Sequence, residues 1–133
     1  MRIAFISLME GLPWGGSEAL WFKTAKLAKE QGHDVLVSVF DWNVENQHTK
    51  VLEELGCIIH KRPLYFLNKT GLKKGIYSFQ NKLFGIKRFY KKIFDFNPDK
   101  VVLSQGGSFD LAIQHPRLYD MLFFYKIPYY LIC

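Results

Sequence analysis

A three-layer α/β domain on a parallel sheet is predicted for this chain by three observations. Short apolar strands alternate with helical stretches, glycines stand where helices should stop, and Val35 to Phe40 is a β-branched run of the kind buried on both faces. At 133 residues, 49% of them hydrophobic, the chain (1–133) reads as a single domain, long enough for a real core and hardly for two. That composition excludes disorder.

The elements follow in order. Ile3 to Leu8 reads as a short buried strand, and Leu20, Ala25, Leu27 and Ala28 predict a helix over Ala19 to Ala28 with one face inward. Gly32 stops that helix, and His33-Asp34 leads into the strand Val35 to Phe40. Strand, helix and strand make one right-handed crossover unit. Asn46 to Leu55 predicts a second helix stopped at Gly56, and Cys57 to His60 a third strand. A loop from Lys61 to Gly75 and a longer helix from about Ile76 to Phe94 come next. Asn97-Pro98-Asp99 breaks that helix before a fourth strand, Val101 to Leu103. Gln105-Gly106-Gly107 then turns into a helix over Ser108 to Tyr125, and Pro128 introduces a fifth strand, Tyr129 to Ile132. No repeat, low-complexity stretch or flexible linker interrupts the pattern.

The simplest sheet for this alternation is Rossmann-like, with strand order 3-2-1-4-5. Its reversal falls between the first and fourth strands, so the loops Met9 to Gly16 and Gln105 to Ser108 are expected to flank one crevice. Both loops carry paired glycines. Trp14, Ser17, Gln105, Gly106 and Gly107 are therefore candidate lining residues of a ligand cleft.

Leu12-Pro13-Trp14-Gly15-Gly16-Ser17-Glu18 is the most informative phrase, because it puts glycines between a strand and the start of a helix. Glycine keeps no side chain between backbone and ligand, and the free N–H groups of a helix's first turn attract phosphate or carboxylate. Gly15 and Gly16 are the candidate anion-binding pair. A second reading has the glycines merely allow the turn, Ser17 cap the helix, and Glu18 complement its dipole. Trp14 either walls a sugar site or packs over its own turn.

The net charge of +6 is unevenly spread. Residues 60–94 hold ten of the eighteen Lys and Arg and no Asp or Glu, leaving the remainder net acidic. Such segregation points one surface toward an anionic partner, whether membrane, nucleic acid or phosphorylated substrate. Cys57 and Cys133 are too few for a disulfide framework, share no metal-ligand spacing, and are expected as two buried thiols in a reducing compartment. The amino terminus lacks a signal-peptide core, and the longest apolar tract, Met121 to Cys133, falls short of the ~20 residues that cross a bilayer. The expectation is a cytoplasmic protein, at most peripheral on the inner face of a membrane. Because the sequence stops inside an apolar strand, it also reads as a piece of something larger.

Taken together, the strand Arg2-Ile3-Ala4-Phe5-Ile6, the phrase Gly15-Gly16-Ser17-Glu18, and Leu27-Ala28-Lys29-Glu30-Gln31-Gly32-His33-Asp34-Val35 resemble the amino-terminal domain of family 4 glycosyltransferases of the GT-B fold. The match is clear over about the first forty residues, and the later strand order is compatible with it. The resemblance implies a retaining transfer of a sugar from a nucleotide-sugar donor to an acceptor, lipid-linked or glycan, between two Rossmann-like domains. It implies that Gly15 and Gly16 meet the donor diphosphate. A second domain carrying most nucleotide contacts and an E-x₇-E motif would be required, so this chain alone is expected not to catalyse transfer. Departure of a nucleoside diphosphate develops negative charge, which pre-aimed backbone N–H groups stabilise without a metal, and no metal or other cofactor is expected. A histidine of the amino-terminal domain often lines the reaction centre of that family. His115, next to Pro116, reads as a helix-start or surface residue instead, and His33 as shaping the start of the second strand.

On the basic helix, Ile76, Phe79, Leu83, Ile86, Tyr90 and Ile93 form one stripe expected to pack on the sheet. Tyr77 and Phe84 emerge on the other side, among Lys87, Arg88, Lys91 and Lys92. Aromatic rings between cations suit an anionic membrane surface, and equally describe a solvated positive face. Two further classes stay open: a Rossmann-like nucleotide or nucleic-acid module on the same surface, and an interaction domain whose last strand pairs with a partner. The glycine loop has neither G-x-G-x-x-G nor a P-loop lysine, and no RNA-binding fingerprint is present.

Overall fold

The computed structural model describes residues 1–64, 86–106, 111 and 115–133, with residues 86–89 as backbone only. Five strands, β1 (Arg2–Ser7), β2 (Asp34–Asp41), β3 (Ile58–Pro63), β4 (Lys100–Ser104) and β5 (Tyr129–Ile132), form one sheet in the order β3-β2-β1-β4-β5. Every pairing is parallel. The register sets Ile3 against both Val35 and Lys100, and Ser7 against Ser104, so the carboxyl ends of the two central strands finish level.

Among the described residues, four helices with described bounds cover the sheet: α1 (Gly16–Glu30), α2 (Gln47–Glu54), α3 (Ile86–Asp95) and α4 (Pro116–Phe124). Side-chain alternation divides β1 and β2 between two cores. Ala4, Ile6, Leu8 and Leu36 face Tyr90 and Ile93 of α3 and Leu118 and Leu122 of α4. Phe5, Val35 and Val37 face Trp21, Ala25 and Ala28 of α1 and Leu52 of α2. This is the Rossmann-like three-layer arrangement read from the sequence.

The details depart from expectation in five places. On α1 the inward row is Glu18, Trp21, Ala25 and Ala28, whereas Leu20 and Leu27 are each 53% exposed. At roughly 100° per residue those leucines fall on the opposite side of the helix from Trp21 and Ala25. Secondly, β3 does not end at His60 but runs to Pro63, because β2 stays paired with it through Asp41↔Pro63. Thirdly, α4 begins at Pro116: His115, with φ −126° and ψ 46°, stands outside it, as a residue before proline must. Residues 107–110 and 112–114 of the expected Ser108–Tyr125 helix lie outside the described residues. Fourthly, Cys57 is buried but Cys133 is exposed, since it follows the last paired residue of an edge strand. Finally, Ser17 does not cap α1. Gly15 is the N-cap residue and no side chain caps that end.

Of the basic segment, Tyr77 and Phe84 fall outside the described residues, as do Ile76, Phe79 and Leu83 of the apolar stripe. Tyr90 and Ile93 of that stripe are buried as expected, and Lys91 and Lys92 are exposed. Lys91 pairs with Asp95 one turn on. The side chains of Ile86, Lys87 and Arg88 are not described. Among the described residues, no helix is long and apolar enough to cross a membrane.

Candidate functional site

Glu18 organises the carboxyl end of the sheet. It sits in the first turn of α1, is 3% exposed, and accepts hydrogen bonds from the Ser7 hydroxyl at the end of β1, the Ser104 hydroxyl at the end of β4 (2.7 Å) and the Trp21 indole N–H (2.7 Å). The two serines are register partners, so a side chain entering from above meets both. Three donors compensate the desolvation of the carboxyl group. Glu18 thereby fills the gap between β1 and β4 and pins the start of α1 above it.

That pinning leaves the first turn of α1 open in a useful way. The N–H groups of Gly16, Ser17 and Glu18 precede the first intrahelical bond, Ala19 N–H to the Gly15 carbonyl (3.1 Å), and no side chain among the described residues caps them. A Cβ built on Gly16 would have nothing within 4 Å, whereas one on Gly15 would meet the Met9 side chain at 2.9 Å. Neither glycine has a positive φ. The Gly15 contact is with the movable end of the Met9 side chain, and Gly16 has no contact within the described residues.

Beside this turn lies a cavity of about 350 Å³. Its floor is the end of β2, Val39 to Asp41; one wall is Trp14 with Glu18 and Trp21, and the other runs from Trp42 to the start of α2 at Thr49. All three tryptophans of the chain line it. Its polar lining includes Asp41, Glu45, Asn46, Gln47 and Lys61. Asn46 caps α2, its side chain accepting from the His48 N–H at 2.9 Å. Trp14 is held in place by packing: its ring stacks on His48 (centroids 4.0 Å, 11° between planes) and meets the edge of Phe22. Trp14 packs over its own turn and also lines the cavity.

The expected cleft residues divide. Trp14 lines the cavity, and Gly15, Gly16 and Ser17 continue the chain from it. Gln105 and Gly106 lie beyond Glu18, at the end of β4. Gln105 is buried, its amide oxygen accepting from the Leu111 N–H (2.9 Å) and its amide nitrogen 3.7 Å from the Cys133 sulfur, so it organises the chain after β4. Gly106 is exposed and Gly107 lies outside the described residues. Among the described residues, the cavity lining lies mostly on the β2 side of α1 and reaches the β1/β4 reversal at Ser7 and Glu18.

A second polar group occupies the same end of the sheet on its other face. Arg62, 2% exposed at the end of β3, donates to the carbonyls of Ser7 and Ser38 and places its guanidinium 4.2 Å from the Phe40 ring centre. Burial holds its pKa below the ordinary guanidinium value and pushes that of the neighbouring Tyr90 phenol up. The Tyr90 hydroxyl is 2.8 Å from His115 Nδ1, and His115 Nε2 is 3.4 Å from a Glu10 carboxyl oxygen. His115 is the N-cap of α4, a helix-start residue just outside the helix, and its side chain is only 10% exposed. Among the described residues, no group of three or more His, Cys, Asp or Glu is placed to hold a metal ion.

Sequence reasoning missed Glu18, Arg62 and His115 as interior residues because their partners lie 86, 55 and 25 positions away. No protein-family model matches the chain, and no curated protein matches it either. The class established by the molecule itself is a Rossmann-like α/β domain with an uncapped glycine helix start beside an aromatic cavity.

Proposed function

We propose that this chain is the acceptor-side, amino-terminal domain of a retaining glycosyltransferase of the GT-B kind, in which the first turn of α1 meets the diphosphate of a nucleotide-sugar. The observation that carries this reading is Gly16. It is a glycine with no conformational or packing need inside the described chain, at the head of three N–H groups that no described side chain caps, and it keeps its own position free of a side chain beside them. The resemblance of the first forty residues supports the same assignment, and the adjoining cavity supplies room for a second substrate. In this reading the protein supplies fixed dipoles aimed at the phosphate oxygens as the glycosidic bond to the leaving diphosphate breaks, and those dipoles need no reorganisation at that moment. The bulk of the nucleotide would be held by a second domain, so binding by this chain alone is weak and transfer is absent.

Titrating isotopically labelled protein with uridine or guanosine diphosphate tests the assignment. Shifts of the amide resonances of Gly15 to Glu18 are expected, and Gly16→Ala should abolish them while melting at the same temperature or higher, because alanine favours a helix and restricts the unfolded chain. Unperturbed resonances in that turn at saturating diphosphate would remove the proposal.

A further inference from the structure

The cavity over the end of β2 has a chemistry of its own. Its volume of about 350 Å³ sits at the lower end of the roughly 300–1,000 Å³ of small-ligand sites, room for one or two rings and no extended polymer. Its apolar surface is aromatic: Trp14 and Trp42 line it and are each half-buried, while the Phe40 ring lies across the sheet against Arg62. Around them stand carboxylates and amides, Asp41, Glu45, Asn46 and Gln47, with Lys61 the one lysine among the described lining residues. Glu45 also pairs with Lys50 at 3.2 Å, and one Asp41 oxygen accepts from the Asn43 N–H at 3.0 Å, the other having no partner among the described residues. In a protein of net charge +6 this rim is locally acidic.

We infer that the cavity binds an uncharged saccharide of one or two rings and rejects its phosphorylated form. A sugar ring presents an apolar C–H face to an aromatic wall and a fringe of hydroxyl donors to carboxylates and amide oxygens, and both complements are here. A nucleotide fits the aromatic rings but brings its phosphates against Asp41 and Glu45, so the diphosphate and the ring belong to different places: one at the first turn of α1, the other over β2. The inference deepens the transferase reading, and rests on it only in making the bound ring the sugar acceptor.

All three tryptophans border the cavity, so tryptophan emission reports on it directly. The test is a fluorescence titration of the protein with methyl hexopyranosides, N-acetylglucosamine, maltose and cellobiose, and with glucose 6-phosphate and adenosine as counter-probes. At least one neutral sugar should change the emission saturably. The phosphate ester should bind at least about tenfold more weakly, as a like charge within a few ångströms of a rim carboxylate requires. Trp42→Ala should lose the response, with an unchanged melting temperature showing that the fold survives. Asp41→Asn should weaken the neutral sugar and narrow its advantage over the phosphate. Emission flat across the neutral panel, tighter binding of glucose 6-phosphate or adenosine, or a response unaltered in both variants would overturn the inference. Diphosphate shifts at Gly16 without any sugar response would sink the saccharide cavity and leave the transferase reading standing; the converse would do the reverse.

Discussion

Removing the Glu18 side chain would leave two hydroxyls and an indole N–H without their acceptor in the interior. Each orphaned buried polar group costs about 1–3 kcal/mol, so Glu18→Ala should lower the unfolding free energy by at least about 2 kcal/mol in urea denaturation, and Glu18→Gln, which keeps one acceptor oxygen, by less. A second residue sets an acid limit. His60, hydrogen-bonded to Ser38 at 3.0 Å, has its pKa pushed down to about 4 by burial, with the Arg62 and Lys92 cations adding to the effect. Its folded pKa lies below the unfolded value, so between about pH 6.5 and 4 the unfolded chain binds the proton and stability falls with acidity. The ring is partly exposed, which limits the contribution to about 1–2 kcal/mol. Denaturation of wild type and His60→Gln across that window should show the variant's profile flatter. None of this was legible in the sequence. A glutamate beside a glycine pair looks like a dipole complement until two serines from different strands are seen to converge on it.

Three helices end in the same six-residue pattern, and only two of them use glycine. At α1 and α2 the N–H after Gly32 and Gly56 bonds back to the carbonyls of Ala28 and Leu52, with φ of 85° and 86° at the glycines. At α4 the Ile127 N–H reaches the Leu122 carbonyl in the same way, but the left-handed residue is Lys126, φ 54°. A left-handed lysine costs roughly 1–2 kcal/mol, partly offset by glycine's greater loss of freedom on folding, so Lys126→Gly should stabilise by about 0.5–1 kcal/mol and raise the melting temperature. The glycine stops were readable, and they placed α1, α2 and the following strands within a few residues. Where no glycine marked the end, boundaries slipped: β3 ran past His60 because Arg62 is pulled inward to the carbonyls of Ser7 and Ser38. The facing of α1 was misread from leucine's hydrophobicity, when Trp21 with two alanines makes the closer fit to the sheet.

Across the molecule, the strand order was legible because alternating elements and right-handed crossovers leave few alternatives. The position of the cavity was not, since it depends on Glu18 closing one side of α1 and the Trp42 to Thr49 segment opening the other. The sheet also orders local stability. Strand β1 is paired on both sides and contributes to both cores, whereas β5 is an edge with Tyr130 and Leu131 exposed. Native-state hydrogen exchange should find the amides of Ala4, Phe5 and Ile6 among the slowest in the chain and those of β5 faster by orders of magnitude.

The convergence on Glu18 reaches past any single molecule. Ser7, Trp21 and Ser104 are three donors around the one acceptor Glu18, so loss of the glutamate strands all three. In diverging lineages of this protein these four positions should therefore drift in concert: a lineage that swaps the glutamate for an apolar residue should have dropped both serines too.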